Sequence, residues 1–363
     1  MKIGGGVVYE CSRATALRTL FLFRRRTASG SRSVRSSSSS FPDHISFIKD
    51  VAATQPPQHL SHLLKLLKAR GESIISPGAK QGLIPLAIPL AKSSSDALTA
   101  LLRWPTAPPG MEMPVVEVWK HGVRLLAKNV HMHSVIDIEC QDFIVDQFIH
   151  RILVEEDAKN LLESSGMLFH VAAEAGEKLY KKGNFAKSQI SDIDVYLLRK
   201  VGLFPDVLER KVMQHFAKGD HVSALVTGEF YTKKEHFPGF ARPFVFNAEI
   251  LLKVGRNLEA KDAARGALKL PWWTLGCKYQ EVADIAQWED DQIDYIKEKV
   301  TAEGKQEDLN KGKTHSQVAL DEAAFLLDLA SVEGTWDDSA ERIAECYEQA
   351  GLHDITAFVL YRD

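Results

Sequence analysis

His131-Met132-His133 is the tightest pairing of metal-ligating side chains in the chain. A structural zinc site needs four ligands, and alternate residues share a face only on an extended strand. Asp137 is the one further donor at a usable spacing, which leaves the set short. Cys11, Cys140, Cys277 and Cys346 are widely separated and form no CxxC pair, so neither a zinc knuckle nor a disulfide framework is expected. Glu289-Asp290-Asp291 could supply a general acid only if burial raised one carboxyl, so the run reads as acidic surface. HExxH, GxSxG and P-loop motifs are absent, and Gly4-Gly5-Gly6 lies in an Arg- and Ser-rich leader. Binding, not catalysis, is the expected chemistry, with no catalytic residue, metal or cofactor assigned.

The elements that would carry a binding surface run from about Phe169 to Pro271. Lys182-Gly183-Asn184, Lys218-Gly219-Asp220 and Val254-Gly255-Arg256 place three glycines 36 residues apart. Five residues after each glycine sits a small side chain: Ser188, Ala224 and Ala260. Three before each sits a large one: Tyr180, Phe216 and Leu252. A period in this range predicts stacked helical hairpins, with Gly183, Gly219 and Gly255 in the turns where positive φ is needed. The third copy is the fullest. Asn247 to Val254 has helical apolar spacing, Ala260, Ala264 and Ala267 form a small-residue stripe, and Pro271 closes the second helix. Asp192 and Gly228 replace the second small residue in the other two copies.

This arrangement resembles the tetratricopeptide repeat. The resemblance implies a protein-binding groove lined by first helices, with candidates Glu177, Tyr180 and Lys181; Glu209, Met213 and Phe216; and Val245, Glu249 and Lys253. Chaperone-binding members of that family grip a peptide carboxylate with a Lys/Asn/Arg clamp. Here Glu177, Met213 and Glu249 stand where the Asn would be, which argues against carboxylate-terminal peptides. A helix or extended segment of another protein suits the mixed lining better. Inter-repeat packing is the plainer reading for each residue, Phe216 above all.

The rest of the chain frames this stretch. Residues 1–41 contain eight of the 45 basic residues and one of the 48 acidic ones, end in a Ser run, and resemble an organelle transit peptide. The hydroxylated tail favours the chloroplast, with the mitochondrion as the alternative. The remaining 37 bases and 47 acids leave a net charge near −10, a poor match to a polyanion, so no nucleic acid is expected. No apolar run is long enough for a transmembrane segment, and peripheral membrane association stays open. Residues 42–165 read as an N-terminal helical region interrupted by a Pro-rich loop at 71–114. Within that region Ser95-Asp96 caps a short helix and Val118–Asn129 is helical. Residues 166–363 read as the repeat domain, with one long helix over Tyr279–Thr301 and an exposed loop at 302–316.

The expected fold is therefore all-α, a helical-hairpin solenoid of the tetratricopeptide type behind a plastid leader. The expected function is a non-catalytic protein-binding scaffold, an assembly or stability factor of a plant organelle. The alternatives are an RNA-binding helical repeat, as in pentatricopeptide arrays, and an enzyme with its site in residues 71–133.

Overall fold

The structure, a computed structural model, describes residues 43–111, 113–127, 144–159, 167–288 and 290–363. The leader, Cys11, Cys140, the His131/His133 pair with Asp137, and Glu289 lie outside the described residues. Two helices open the fold, α1 (His44–Asp50) and α2 (Leu60–Ala69). Asp43 caps α1 by accepting from the backbone N–H groups of Ile45 and Ser46. Leu60, Leu63, Leu64, Leu66 and Leu67 bury one broad face of α2.

The chain is not all-α. A five-stranded antiparallel meander follows: β1 (Ser73–Ile74), β2 (Ala87–Lys92), β3 (Leu98–Leu102), β4 (Val115–Trp119) and β5 (Gly122–Ala127), in that order across the sheet. The Pro-rich loop expected at 71–114 is largely this sheet. Pro89 is tolerated in β2 because the β2–β3 register shifts between Pro89 and Ala91, and a bulge needs no ladder donor there. Residues 93–97 form the β2–β3 turn instead of starting a helix, with Asp96 at φ 67°. The expected Val118–Asn129 helix is replaced by the β4–β5 hairpin. Its residues alternate, with Val123, Leu125 and Ala127 buried and Arg124 exposed.

Helices complete the molecule. α3 (Ile144–Lys159), α4 (Met167–Leu179), α5 (Asn184–Lys187) and α6 (Ile193–Lys200) precede two hairpins. These are α7 (Pro205–Ala217) with α8 (His221–Tyr231), and α9 (Arg242–Lys253) with α10 (Asn257–Ala267). Gly219 and Gly255 occupy their turns at φ 74° and 77°. Gly183 also has positive φ, 86°, but the second arm there is only the four-residue α5. Gln189 at φ 57° interrupts it, and Asp192 caps a new helix, α6, by accepting from Asp194 and Val195. The Asp192 departure from the small-residue stripe is thus the point where the hairpin breaks.

A one-turn 3₁₀ helix (Trp272–Thr274) leads into α11 (Tyr279–Ala286) and α12 (Asp291–Lys299). Gln287, left-handed at φ 51°, separates what reads in sequence as one long helix. The exposed loop expected at 302–316 contains α13 (Ala302–Asn310). Thr301 caps it, and Lys299 holds Glu307 and Asp308 at 3.0 and 3.2 Å, so a helix poor in apolar residues is held by its ends and its ion pairs. α14 (His315–Glu333), α15 (Trp336–Gln349) and α16 (His353–Leu360) finish the chain.

Two apolar cores result. The larger joins α1, α2, the sheet and the α3–α8 helices to the last three helices; the smaller lies among α9, α10, α11 and α12. α14 serves both, with Leu326 and Leu327 in the first and Phe325, Leu329 and Val332 against the second. The last helix meets the first: Phe47 packs edge-on against Phe358 at 6.3 Å and Tyr361 at 5.1 Å. No helix among the described residues is long and apolar enough to cross a membrane.

Candidate functional site

A cluster of polar side chains sits where the sheet meets the two hairpins. Arg242, the first residue of α9, grips Glu209 of α7 with two bonds of 2.8 Å, from Nε and Nη2. Its Nη1 donates to Glu249, two turns along its own helix, also at 2.8 Å. Tyr231 of α8 donates to Glu209 at 3.2 Å. Burial pulls the Arg242 guanidinium down, but the bonds and charge of Glu209 and Glu249 outweigh it and hold the cation above its ordinary value. Burial likewise drives the Tyr231 phenol well up.

From the sheet side, Arg124 of β5 donates to the Gly276 carbonyl at 2.8 and 3.1 Å. Beside it Cys277 is pushed up to about 12 by burial, so the thiol stays protonated at neutral pH. A cavity of about 200 Å³ lies between these groups, with Glu117, Arg124, Asp206 and Glu209 on its walls and Phe237 and Phe240 beneath. Arg242, Glu209, Glu249 and Tyr231 are paired with one another and Arg124 is held by the Gly276 carbonyl, whereas the Glu117 carboxylate is bonded to none of them. The arrangement is a clamp joining strand, hairpins and the turn after the 3₁₀ helix.

A second network holds the first glycine turn. Asp157 of α3 accepts from the Tyr180 hydroxyl at 2.6 Å and from the Gly183 backbone at 2.9 Å, while the same hydroxyl accepts from the Phe185 N–H at 2.8 Å. Burial, then the Asp157 bond, raises the Tyr180 phenol far above its usual value. A third network ties α3 and α6 to α7. Arg151 pairs with Glu155 at 2.8 Å and Asp206 at 2.5 Å, and Arg210 pairs with Asp194 at 2.6 Å.

The groove candidates are distributed unevenly. Glu209 and Glu249 come together on Arg242. Tyr180 and Val245 are buried and present no surface, and Phe216 is half-buried against His221. Glu177, Lys181, Met213 and Lys253 are exposed. Sequence reasoning missed Arg242 because nothing marks an arginine at a helix start as a hub until α7 is folded beside it. The heptad step from Arg242 to Glu249 was the available signal. Among the described residues no group of three or more His, Cys, Asp or Glu could hold a metal ion.

Family models cover nearly the whole described chain. One described as PAB N-terminal matches residues 42–200, the PAB middle domain matches 205–289, and the PAB C-terminal domain matches 293–361. A relative from Arabidopsis thaliana, called Protein IN CHLOROPLAST ATPASE BIOGENESIS, chloroplastic, is 68% identical over 320 residues, 88% of this chain and 91% of the relative. No solved structure matches the chain. The plastid address expected from the leader holds: the protein is chloroplastic.

Proposed function

This chain belongs to the family defined by the PAB N-terminal, middle and C-terminal domains, and on that premise we propose that it is a non-catalytic assembly factor that holds subunits of the chloroplast ATPase while they are put together. The observation that carries the reading is the 68% identity to a relative named for chloroplast ATPase biogenesis. The geometry supports holding over turnover. The Arg242 clamp pairs its charges internally, and the Cys277 thiol is kept protonated by burial. The finer part of the reading is that the stacked hairpins supply a tetratricopeptide-like surface, with Glu177, Lys181, Met213 and Lys253 among its contacts. Proteins are the partners, since acids outnumber bases beyond the leader.

Depleting the protein from chloroplasts tests this. ATPase accumulation is expected to fall while other thylakoid complexes keep their levels, and antibody against the protein is expected to bring down ATPase subunits after cross-linking. Unchanged ATPase in the depleted line, with no subunit captured, would end the reading.

A further inference from the structure

The solvent face of α8 is apolar where a surface helix should be polar. Val222, Val226 and Phe230 recur every four residues along it, at 72%, 61% and 36% exposure. The opposite face is already occupied. Ala224, Gly228 and Tyr231 are buried, and Gly228 lies so close to α9 that a Cβ there would meet Ile250 Cδ1 at 2.7 Å. At the tip of the next hairpin, which packs against α8, Leu252 and Leu258 are exposed as well, Leu258 at 80%. Glu229, also exposed on α8, stands near enough to Arg256 at that tip to raise its guanidinium, after the larger effect of the hydrogen bond from Arg256 to Glu259.

Charge around this patch differs from charge elsewhere. Residues 205–278 contain twelve Lys and Arg against eight Asp and Glu; residues 279–363 contain seven against 21. Lys218, Lys233 and Lys234 stand exposed at the two ends of α8, and Lys253 stands beside Leu252. None of these four lysines forms an ion pair among the described residues. Lys233 instead lies 5.2 Å from the Phe230 ring, and His236 packs tilted against that ring at 4.3 Å. An apolar ridge edged by unpaired ammonium groups is complementary to a ridge edged by carboxylates.

We propose that the outer face of α8, with the Leu252–Leu258 tip, is a docking surface for an amphipathic helix of a client protein, apolar along one stripe and acidic beside it. The surface is separate from the inner clamp and shares only Lys253 with the groove candidates on the first helices. It deepens the assembly reading and rests on it for the client's identity, though not for the chemistry.

Two designed 20-residue helical peptides test the proposal against the full-length mature protein. Both carry the same leucine stripe; one is flanked by glutamates, the other by lysines. Fluorescence anisotropy is expected to show binding of the acidic peptide, weakened by added salt, and at least tenfold weaker binding of the basic one. Val226→Asp with Phe230→Glu is expected to abolish binding while circular dichroism stays unchanged and the melting temperature falls only slightly, since Val226 faces solvent and Phe230 packs against His236 and Lys233 near the surface. Lys218→Glu, Lys234→Glu and Lys253→Glu together keep the ridge and are expected to reverse the preference between the two peptides. Equal binding of both peptides, or acidic binding untouched by the Val226/Phe230 variant, overturns the proposal. So does loss of a concentration-dependent dimer in that variant, which would make a second copy the occupant, or its loss of binding to anionic lipid vesicles with no peptide bound. If ATPase subunits bind equally to wild type and variant, this surface is wrong and the assembly reading stands. If the acidic peptide binds and no ATPase subunit does, the surface stands and the assembly reading fails.

Discussion

Arg242 shows how little of a polar cluster's energy is visible from its bond lengths. Its two carboxylate partners, Glu209 first, act against the cost of burying its cation. Arg242→Ala leaves Glu209 and Glu249 facing each other without their cation. With the partners partly exposed, the expected loss is about 2 kcal/mol, below the range for a fully buried pair. Arg242→Met combined with Glu209→Gln and Glu249→Gln is expected to recover more than half of it, read from urea midpoints across the series. The same triple variant separates structure from chemistry: if it stays folded and still restores ATPase in a depleted line, the clamp has no catalytic part. Lys80 is the opposite case. It is fully buried, donates to the Phe358 carbonyl at 2.7 Å, and lies 3.6 Å from the Phe358 ring, with no carboxylate bonded to it among the described residues. Burial, with Arg362 nearby, lowers its pKa well below 10.5. The unfolded chain therefore binds one more proton between the folded value and 10.5, and stability contributed by this site rises with pH across that window. Lys80→Met should be at least as stable as wild type at pH 7.5, and its advantage should shrink by pH 9.5. A gap that widens with pH would contradict the assignment.

At the scale of elements, glycines of two kinds can be told apart. Gly219 and Gly255 sit at positive φ in open turns, where a Cβ would meet nothing within 4 Å. Alanine at either is expected to cost about 1 kcal/mol, the backbone term alone. Gly122, at the start of β5, has φ 144°, and a Cβ there would fall 2.0 Å from the Trp273 carbonyl. Gly122→Ala must push the 3₁₀ turn off the sheet, so about 3 kcal/mol is expected, together with a change in tryptophan fluorescence as the 5.0 Å Trp104–Trp273 contact opens. The two hairpin turns were legible from sequence because a 36-residue period, a glycine and a small-residue stripe coincide. The sheet was not. β2 and β3 are buried on both faces, so they show an apolar run without alternation, and prolines at 77, 85, 89, 105, 108, 109 and 114 argue for loop. In β4 and β5 the alternation was present in Val123, Arg124 and Leu125, but it was short enough to pass for a helical face. α13 was missed for a related reason: its stability comes from a cap and lysine–carboxylate pairs, which hydrophobic periodicity does not register. Of the binding surface, the groove candidates came from family resemblance. The exposed stripe of α8 could not be found that way, because valine, valine and phenylalanine at four-residue steps look like core until the buried face is known.

Over the whole molecule, charge is sorted along the chain. The net value near −10 beyond the leader comes from the last 85 residues, and the α7–α10 region is mildly basic. Ionic strength should therefore act on client binding through the hairpins far more than on the fold, whose strongest pairs are inward-facing. The contact between α1 and α16 carries a different kind of meaning. Phe47 belongs to the first helix of the fold and Phe358 to the last, and Ser76 and Gly78 meet Asp363 across the same seam. A polypeptide threaded into an organelle leading end first brings α1 inside long before α16. Throughout that passage the Phe47 and Lys80 side chains stand without the wall that covers them, and the core cannot lock. The protein is thus built to mature late, only after its final turn has arrived. A chain lacking that last helix is expected to leave this seam uncovered and to stay short of its locked core.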